Sequence, residues 1–149
     1  MFSVVDQVYG ASFVTEPNKT IVVSTGSNQT FTWQLNLTNQ EKLKQLQVQF
    51  GPWNKEFDIA ADIYLMTFVQ EPSENGSVLL TTNHSIVKRL QWMGDLTRDY
   101  FVAFKLFDVK LSDSGDYGIR FRVEFFPIVT LESWFTLSVK VKKINLPQF

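Results

Sequence analysis

A chain of 149 residues is long enough for one domain to bury a core unaided, and 44% hydrophobic with 15% aromatic residues excludes a disordered chain. Fourteen basic against fifteen acidic residues leave a net charge of −1, which gives no electrostatic reason to expect nucleic acid or an anionic membrane as partner. No apolar run approaches the roughly 18 residues of a membrane helix. The start of the chain lacks the charged and apolar regions of a signal peptide, so the protein is either cytosolic or follows a leader that has been removed.

In chain order the segments read as strands. Gly26 marks a turn before Thr30–Trp33, where polar and aromatic residues alternate. Asn39 to Leu46 has some helical character but is too short to outweigh its surroundings. Lys44 to Phe50 alternates cleanly, with Leu46, Val48 and Phe50 opposing Gln45, Gln47 and Gln49. Pro52 is expected at a turn, then Ile63 to Val69 as a β-branched and aromatic strand, then a turn at Asn75-Gly76. Gly94 precedes a β-rich run from Tyr100 to Val109, and Gly115 punctuates the next boundary. From Tyr117 to Phe125 the odd positions are apolar and the even ones small or charged. Phe126-Pro127 interrupts the pattern. From Trp134 to Val141 the inward set is Phe135, Leu137, Val139 and Val141. Short strands at regular intervals indicate an all-β antiparallel sandwich.

Cysteines and asparagines point in opposite directions. The absence of cysteine favours a reducing compartment. Yet five of eight asparagines open an N-x-Ser/Thr sequon: Asn18, Asn28, Asn36, Asn75 and Asn83. Serine and threonine make up 23 of 149 residues, so chance predicts about one. Glycan acceptors have meaning only in the secretory pathway, although turn-rich β-proteins also bring Asn, Ser and Thr together.

Two motifs then carry a resemblance. Asp113-Ser-Gly115-Asp-Tyr117 resembles the D-x-G-x-Y signature leading into strand F of immunoglobulin domains, and Arg89-Leu-Gln-Trp92-Met-Gly94-Asp95 resembles the strand D signature of V-type domains. Phe104, Leu106 and Val109 fall at the family's apolar positions ahead of Asp113. The likeness spans about residues 12–143, with 1–11 an N-terminal extension and 144–149 the start of a linker. It implies a V-type immunoglobulin-like β-sandwich without a disulfide. It also implies Tyr117 as the tyrosine corner, Gly115 at a turn of positive φ, and an Arg89–Asp113 salt bridge.

The departures are as informative. Ile119 stands at the strand F cysteine position, Trp33 at that of strand B, and the strand C tryptophan position falls on Leu46 or Val48. Trp33 is expected to cross the gap of about 10 Å between the sheets and fill the vacated volume with Ile119, Phe121 and Phe104. A lost disulfide costs about 2–5 kcal/mol, and each large buried side chain returns about 1.5–3 kcal/mol.

Little supports catalysis. His84 is the only histidine, with no cysteine beside it for a triad or a zinc site. Asp58 with Asp62, and Asp113 with Asp116, lack calcium-loop spacing. No enzyme activity, metal or cofactor is expected. By family analogy the binding surface is the exposed G-F-C-C′ face. Parity assigns it Gln45, Gln47 and Gln49, Arg120, Arg122 and Glu124, and Trp134 and Thr136. An ordinary solvated face would carry the same residue types. Asn36 is expected to lie nearest this face, with the other sequons away from it.

Missing cysteines, the missing strand C tryptophan and the sequons together resemble the membrane-distal domains of colonial-hydroid allorecognition proteins. That likeness implies the ectodomain of a single-pass cell-surface protein binding the same domain on an opposing cell. A heterophilic receptor or viral decoy domain, and an intracellular structural immunoglobulin module, remain open readings.

Overall fold

Alternation along the chain becomes two facing sheets. The computed structural model describes residues 10–54, 59–60, 64–80, 85–124 and 128–143. Asn83, His84, Asp58, Asp62, the Phe126-Pro127 interruption, most of the N-terminal extension and the 144–149 linker lie outside the described residues.

The strands are β1 (Ser12–Thr15), β2 (Thr20–Ser24), β3 (Gln29–Asn36), β4 (Leu46–Asn54), β5 (Ile59–Ala60), β6 (Met66–Gln70), β7 (Ser77–Leu80), β8 (Leu90–Trp92), β9 (Phe101–Leu106), β10 (Gly115–Val123) and β11 (Val129–Lys140). Short 3-10 turns at Glu41–Leu43, Ser85–Arg89 and Leu111–Asp113 join them. One sheet has the order β1-β3-β9-β8. The other has the order β2-β11-β10-β4-β6-β7, with β5 pairing β4 beside that path. All neighbours are antiparallel except β2, which runs parallel to β11.

Inward residues of both sheets build the core. Trp33, Phe31, Phe50, Phe104, Phe121 and Phe135 are almost fully buried. Phe135 is the hub, with its ring 4.5 Å from Phe31, 6.0 Å from Trp33 and 6.0 Å from Tyr117. Phe50, rather than Leu46 or Val48, supplies the inward aromatic ring of β4, 4.8 Å from Phe104 across the sandwich. Trp92 closes one end by stacking on Phe68 at 4.0 Å. Trp33 reaches across the gap. Its Nε1–H donates to Ser133 Oγ on β11 at 2.8 Å, and Ser133 donates onward to Glu16 Oε1 at 2.7 Å.

Beside the tyrosine corner, Arg89 forks onto Asp113 at 2.8 and 2.7 Å and also donates to the Phe107 and Asp108 carbonyls. The Tyr117 hydroxyl donates to the Asp113 carbonyl at 2.5 Å.

Three expectations need correction. Pro52 lies inside β4, exposed and in register with Tyr117, rather than at a turn. The β4–β6 ladder ends at Phe50, so β4 needs no N–H from Pro52 on that side. Val141 follows the end of β11 and is exposed. Gly115 has the expected positive φ, 158°, but it opens β10 instead of occupying a separate turn.

Candidate protein-binding face

The larger sheet turns its outer face to solvent, and its register fixes which side chains stand together. The β10–β4 ladder pairs Arg120 with Gln49 and Arg122 with Gln47. The β10–β11 ladder pairs Arg120 with Glu132, Arg122 with Thr130, Gly118 with Trp134 and Asp116 with Thr136. The β4–β6 ladder adds Thr67 beside Gln49 and Val69 beside Gln47. Inward neighbours such as Ile119, Phe121 and Val123 are buried, so these outward residues form one patterned surface.

Charges on this face come as adjacent opposites. Arg120 donates through Nε and Nη2 to Glu132 Oε2 at 3.3 and 3.2 Å. Arg122 lies 3.4 Å from Glu124. Both pairs are half-exposed, where an ion pair contributes about 0–1 kcal/mol, so they order the surface more than they hold the fold. Among the described residues, the side-chain amides of Gln47 and Gln49 make no hydrogen bond. Gln45, just before β4, hydrogen-bonds instead to Glu71. Thr136 donates to Asp116 at 2.6 Å, and Lys19 lies 4.9 Å above the Trp134 ring.

Sequence reasoning missed Glu132 and Trp53. Glu132 continues the alternation backwards from Trp134, and reading the strand from Val129 rather than Trp134 would have found it. Trp53 falls at an outward position of β4 and was hidden by the expected turn at Pro52. Its ring lies over Gly118: a Cβ at 118 would sit 2.5 Å from Trp53 Cε3. Trp53 is buried there, and its Nε1–H has no hydrogen-bond partner.

The sequons divide between the sheets. Asn36 stands exposed at the end of β3, on the outer side of the smaller sheet and in register with Ser12. It is therefore not the sequon nearest the face, because the inward set of β3 is Phe31, Trp33 and Leu35. Asn28 is exposed beside the same sheet and accepts from the Asp108 N–H through Oδ1 at 3.1 Å, a bond that leaves its Nδ2 open. Asn18 lies on the exposed link from β1 to β2. Asn75, on the turn between β6 and β7, lies beside the larger sheet, and so does Asn18, whose neighbour Lys19 accepts from the Thr136 N–H on β11.

Elsewhere, an open cleft of about 700 Å³ runs between the Glu41–Leu43 turn, the 71–75 turn and Tyr100. Lys42 is committed to the Tyr100 ring at 4.9 Å, and Glu71 to Gln45. Among the described residues no group of His, Cys, Asp and Glu could hold a metal ion, and no helix is long and apolar enough to cross a membrane.

Solved structures share this architecture. Murine CRIg superposes with a TM-score of 0.62 at 10% identity, covering 87% of this chain and 98% of its own. The V domain of amphioxus IgVJ-C2 does so at 0.57 and 11%, covering 81% and 100%. The fold is V-type immunoglobulin-like. A marsupial T cell receptor gives 0.58 at 16% identity over 91% of this chain, which spans 57% of that receptor chain. Identities this low establish the fold alone. No family model matches the sequence, and no curated protein matches it.

Proposed function

We propose that this domain is an extracellular recognition module of a membrane-anchored protein, binding a second copy of itself on an opposing cell through the outer face of its larger sheet. The observation that carries the reading is the pairing of opposite charges on that face. Arg120 beside Glu132 and Arg122 beside Glu124 give a surface with both signs in close alternation. Such a pattern is self-complementary across a two-fold axis. Unpaired amides at Gln47 and Gln49 add donors and acceptors of both kinds. Asn28 and Asn36 would carry their glycans on the smaller sheet, away from this surface. Extracellular placement is further supported by the five sequons and by the likeness to receptor V domains.

The test uses protein secreted from eukaryotic cells. Glycan mass on the product is expected, and its absence would favour the intracellular structural module. Beads of two colours coated with the domain should then co-aggregate, and sedimentation should show a concentration-dependent dimer. Separate colours and a monomer at high concentration would leave only a heterophilic ligand.

A further inference from the structure

We infer that two copies dock with their β10 strands antiparallel, about a two-fold axis that crosses β10 at Ile119, so that Asp116 of each copy meets Arg122 of the other. This rests on the homophilic reading above and gives it a register and a specificity code. Copies reaching from opposing cells approach head to head, with their strands along the line between the cells. A two-fold axis perpendicular to the strands then lays each outward strand over its own counterpart, running the opposite way. Facing sheets cross at about 30° through their twist, which long side chains near the axis can span. The remaining freedom is where along the strands the axis falls.

Charge and the Trp53 ring over Gly118 decide that position. The outward series of β10 is Asp116, Gly118, Arg120 and Arg122, with Glu124 just beyond the strand. An axis at Phe121 sets Arg120 against Arg122 of the other copy. An axis at Arg120 or Arg122 sets an arginine against itself, and like charges opposed in a desolvated interface are strongly unfavourable. An axis at Val123 joins Arg122 to Glu124 but confines contact to one end of the face. An axis at Gly118 also sets Asp116 against Arg120 twice, but it presses the Trp53 rings that cover Gly118 in the two copies against each other and leaves Arg122 opposite Ser114.

At Ile119 the conflicts vanish. Asp116 meets Arg122 twice, and Arg120 comes opposite Gly118, where it faces the Trp53 ring that covers that glycine and no like charge. Along β4, Gln49 comes opposite Gly51, its ladder neighbour being Arg120 and that of Gly51 being Gly118. Along β11, Thr136 comes opposite Thr130. The existing contacts of Asp116 with Thr136 and of Arg122 with Glu124 survive, because a carboxylate has four acceptor sites and a guanidinium five donors.

A charge exchange tests the register. Asp116→Arg and Arg122→Asp should each weaken self-association by roughly tenfold or more. The double variant should bind itself again but not the wild type, since each mixed contact then opposes like charges. Bead sorting reads this directly, with melting curves confirming that each variant is folded. A second arm needs no charge change: Thr130→Cys protein mixed with Thr136→Cys protein should be joined by a short bis-maleimide that spans the roughly 10 Å between facing sheets, whereas neither protein alone should be joined to itself. If the wild type self-associates but the single variants bind normally, the double variant fails to recover, or the cysteine pair does not cross-link, this register is wrong. If the wild type does not associate at all, the homophilic reading itself has failed.

Discussion

The indole N–H of Trp33 on β3 donates to the hydroxyl of Ser133 on β11, 2.8 Å away, so one hydrogen bond ties the two sheets at their centre. Ser133 passes the chain on to Glu16 at 2.7 Å. A V-type sandwich that lacks cysteine is thus joined between sheets by a tryptophan that both fills and bonds. Removing either partner strands the other in a buried site. Ser133→Ala should cost about 1–3 kcal/mol by leaving the indole N–H unpaired. Trp33→Ala should cost about 3–5 kcal/mol, a fall in Tm of about 10 °C or more for a chain of this size. Calorimetry would measure both, and a fall of only a degree or two for Trp33→Ala would refute the role.

Trp53 offers the contrasting case. It is as buried as a core residue but its Nε1–H has no acceptor. Replacing an indole by a phenyl ring removes volume at both sites, yet only at Trp33 does it break a hydrogen bond. Trp33→Phe should therefore be less stable than Trp53→Phe by about 1–2 kcal/mol. Urea denaturation of the two single variants gives the difference, and equal midpoints would count against it.

The sandwich was legible because its strands alternate over long stretches and its turns carry the D-x-G-x-Y and R-x-x-W-x-G-D strings. Trp33 stood out because a tryptophan occupied a cysteine position. Its acceptor did not, since Ser133 is a small polar residue whose inward direction depends on where β11 starts. Trp53 was obscured by Pro52, which reads as a turn unless the β4–β6 ladder is known to have ended. Asn36 was misplaced because its position near a loop does not tell which sheet it faces. The face residues followed from parity, but their pairing into Arg120–Glu132 and Arg122–Gln47 needed the inter-strand register, which no single segment contains.

Acid should expose the second tie. Burial alone pushes the Asp113 carboxyl up, but hydrogen bonds from Arg89 and the Lys110 N–H, with the charges of both side chains, hold it below the ordinary carboxylate range. A depressed carboxyl contributes stability that is present above its unfolded pKa of about 3.9 and is lost as pH falls through the folded value. Tm should therefore drop steeply below about pH 4. In Asp113→Asn, about 3 kcal/mol less stable at neutral pH because Arg89 loses its counter-charge, the acid limb should be shallower. Parallel Tm profiles for the two proteins would contradict this.

At the centre of the proposed binding face, Gly118 is required for close approach and not for backbone freedom. A methyl group there would meet the Trp53 ring at 2.5 Å and the Ser133 carbonyl at 2.6 Å. Gly118→Ala should destabilise by about 1–3 kcal/mol, in the range of overpacking. Adding Trp53→Ala should recover part of that loss, leaving the clash with the Ser133 carbonyl. A double-mutant cycle by urea titration tests the coupling, and strict additivity would mean that the ring does not rest on Gly118.

Base should reach the tyrosine corner last. Burial, and to a lesser degree the Asp113 charge, push the Tyr117 hydroxyl up to about 12. The neutral hydroxyl donates to the Asp113 carbonyl at 2.5 Å, a bond that ionisation removes. A phenol raised in this way contributes stability that is fully present below its unfolded pKa of about 10 and is lost as pH rises through the folded value. Alkaline titration followed at 295 nm should show one of the four tyrosines ionising only with the loss of near-ultraviolet circular dichroism. Tyr117→Phe keeps the ring in the Phe50 and Phe135 stack and removes the ionisable group. It should lose about 1 kcal/mol at pH 7 yet resist base better than the wild type. A wild-type protein in which all four tyrosines titrate together near pH 10, with structure intact, would show that Tyr117 is not held by the corner.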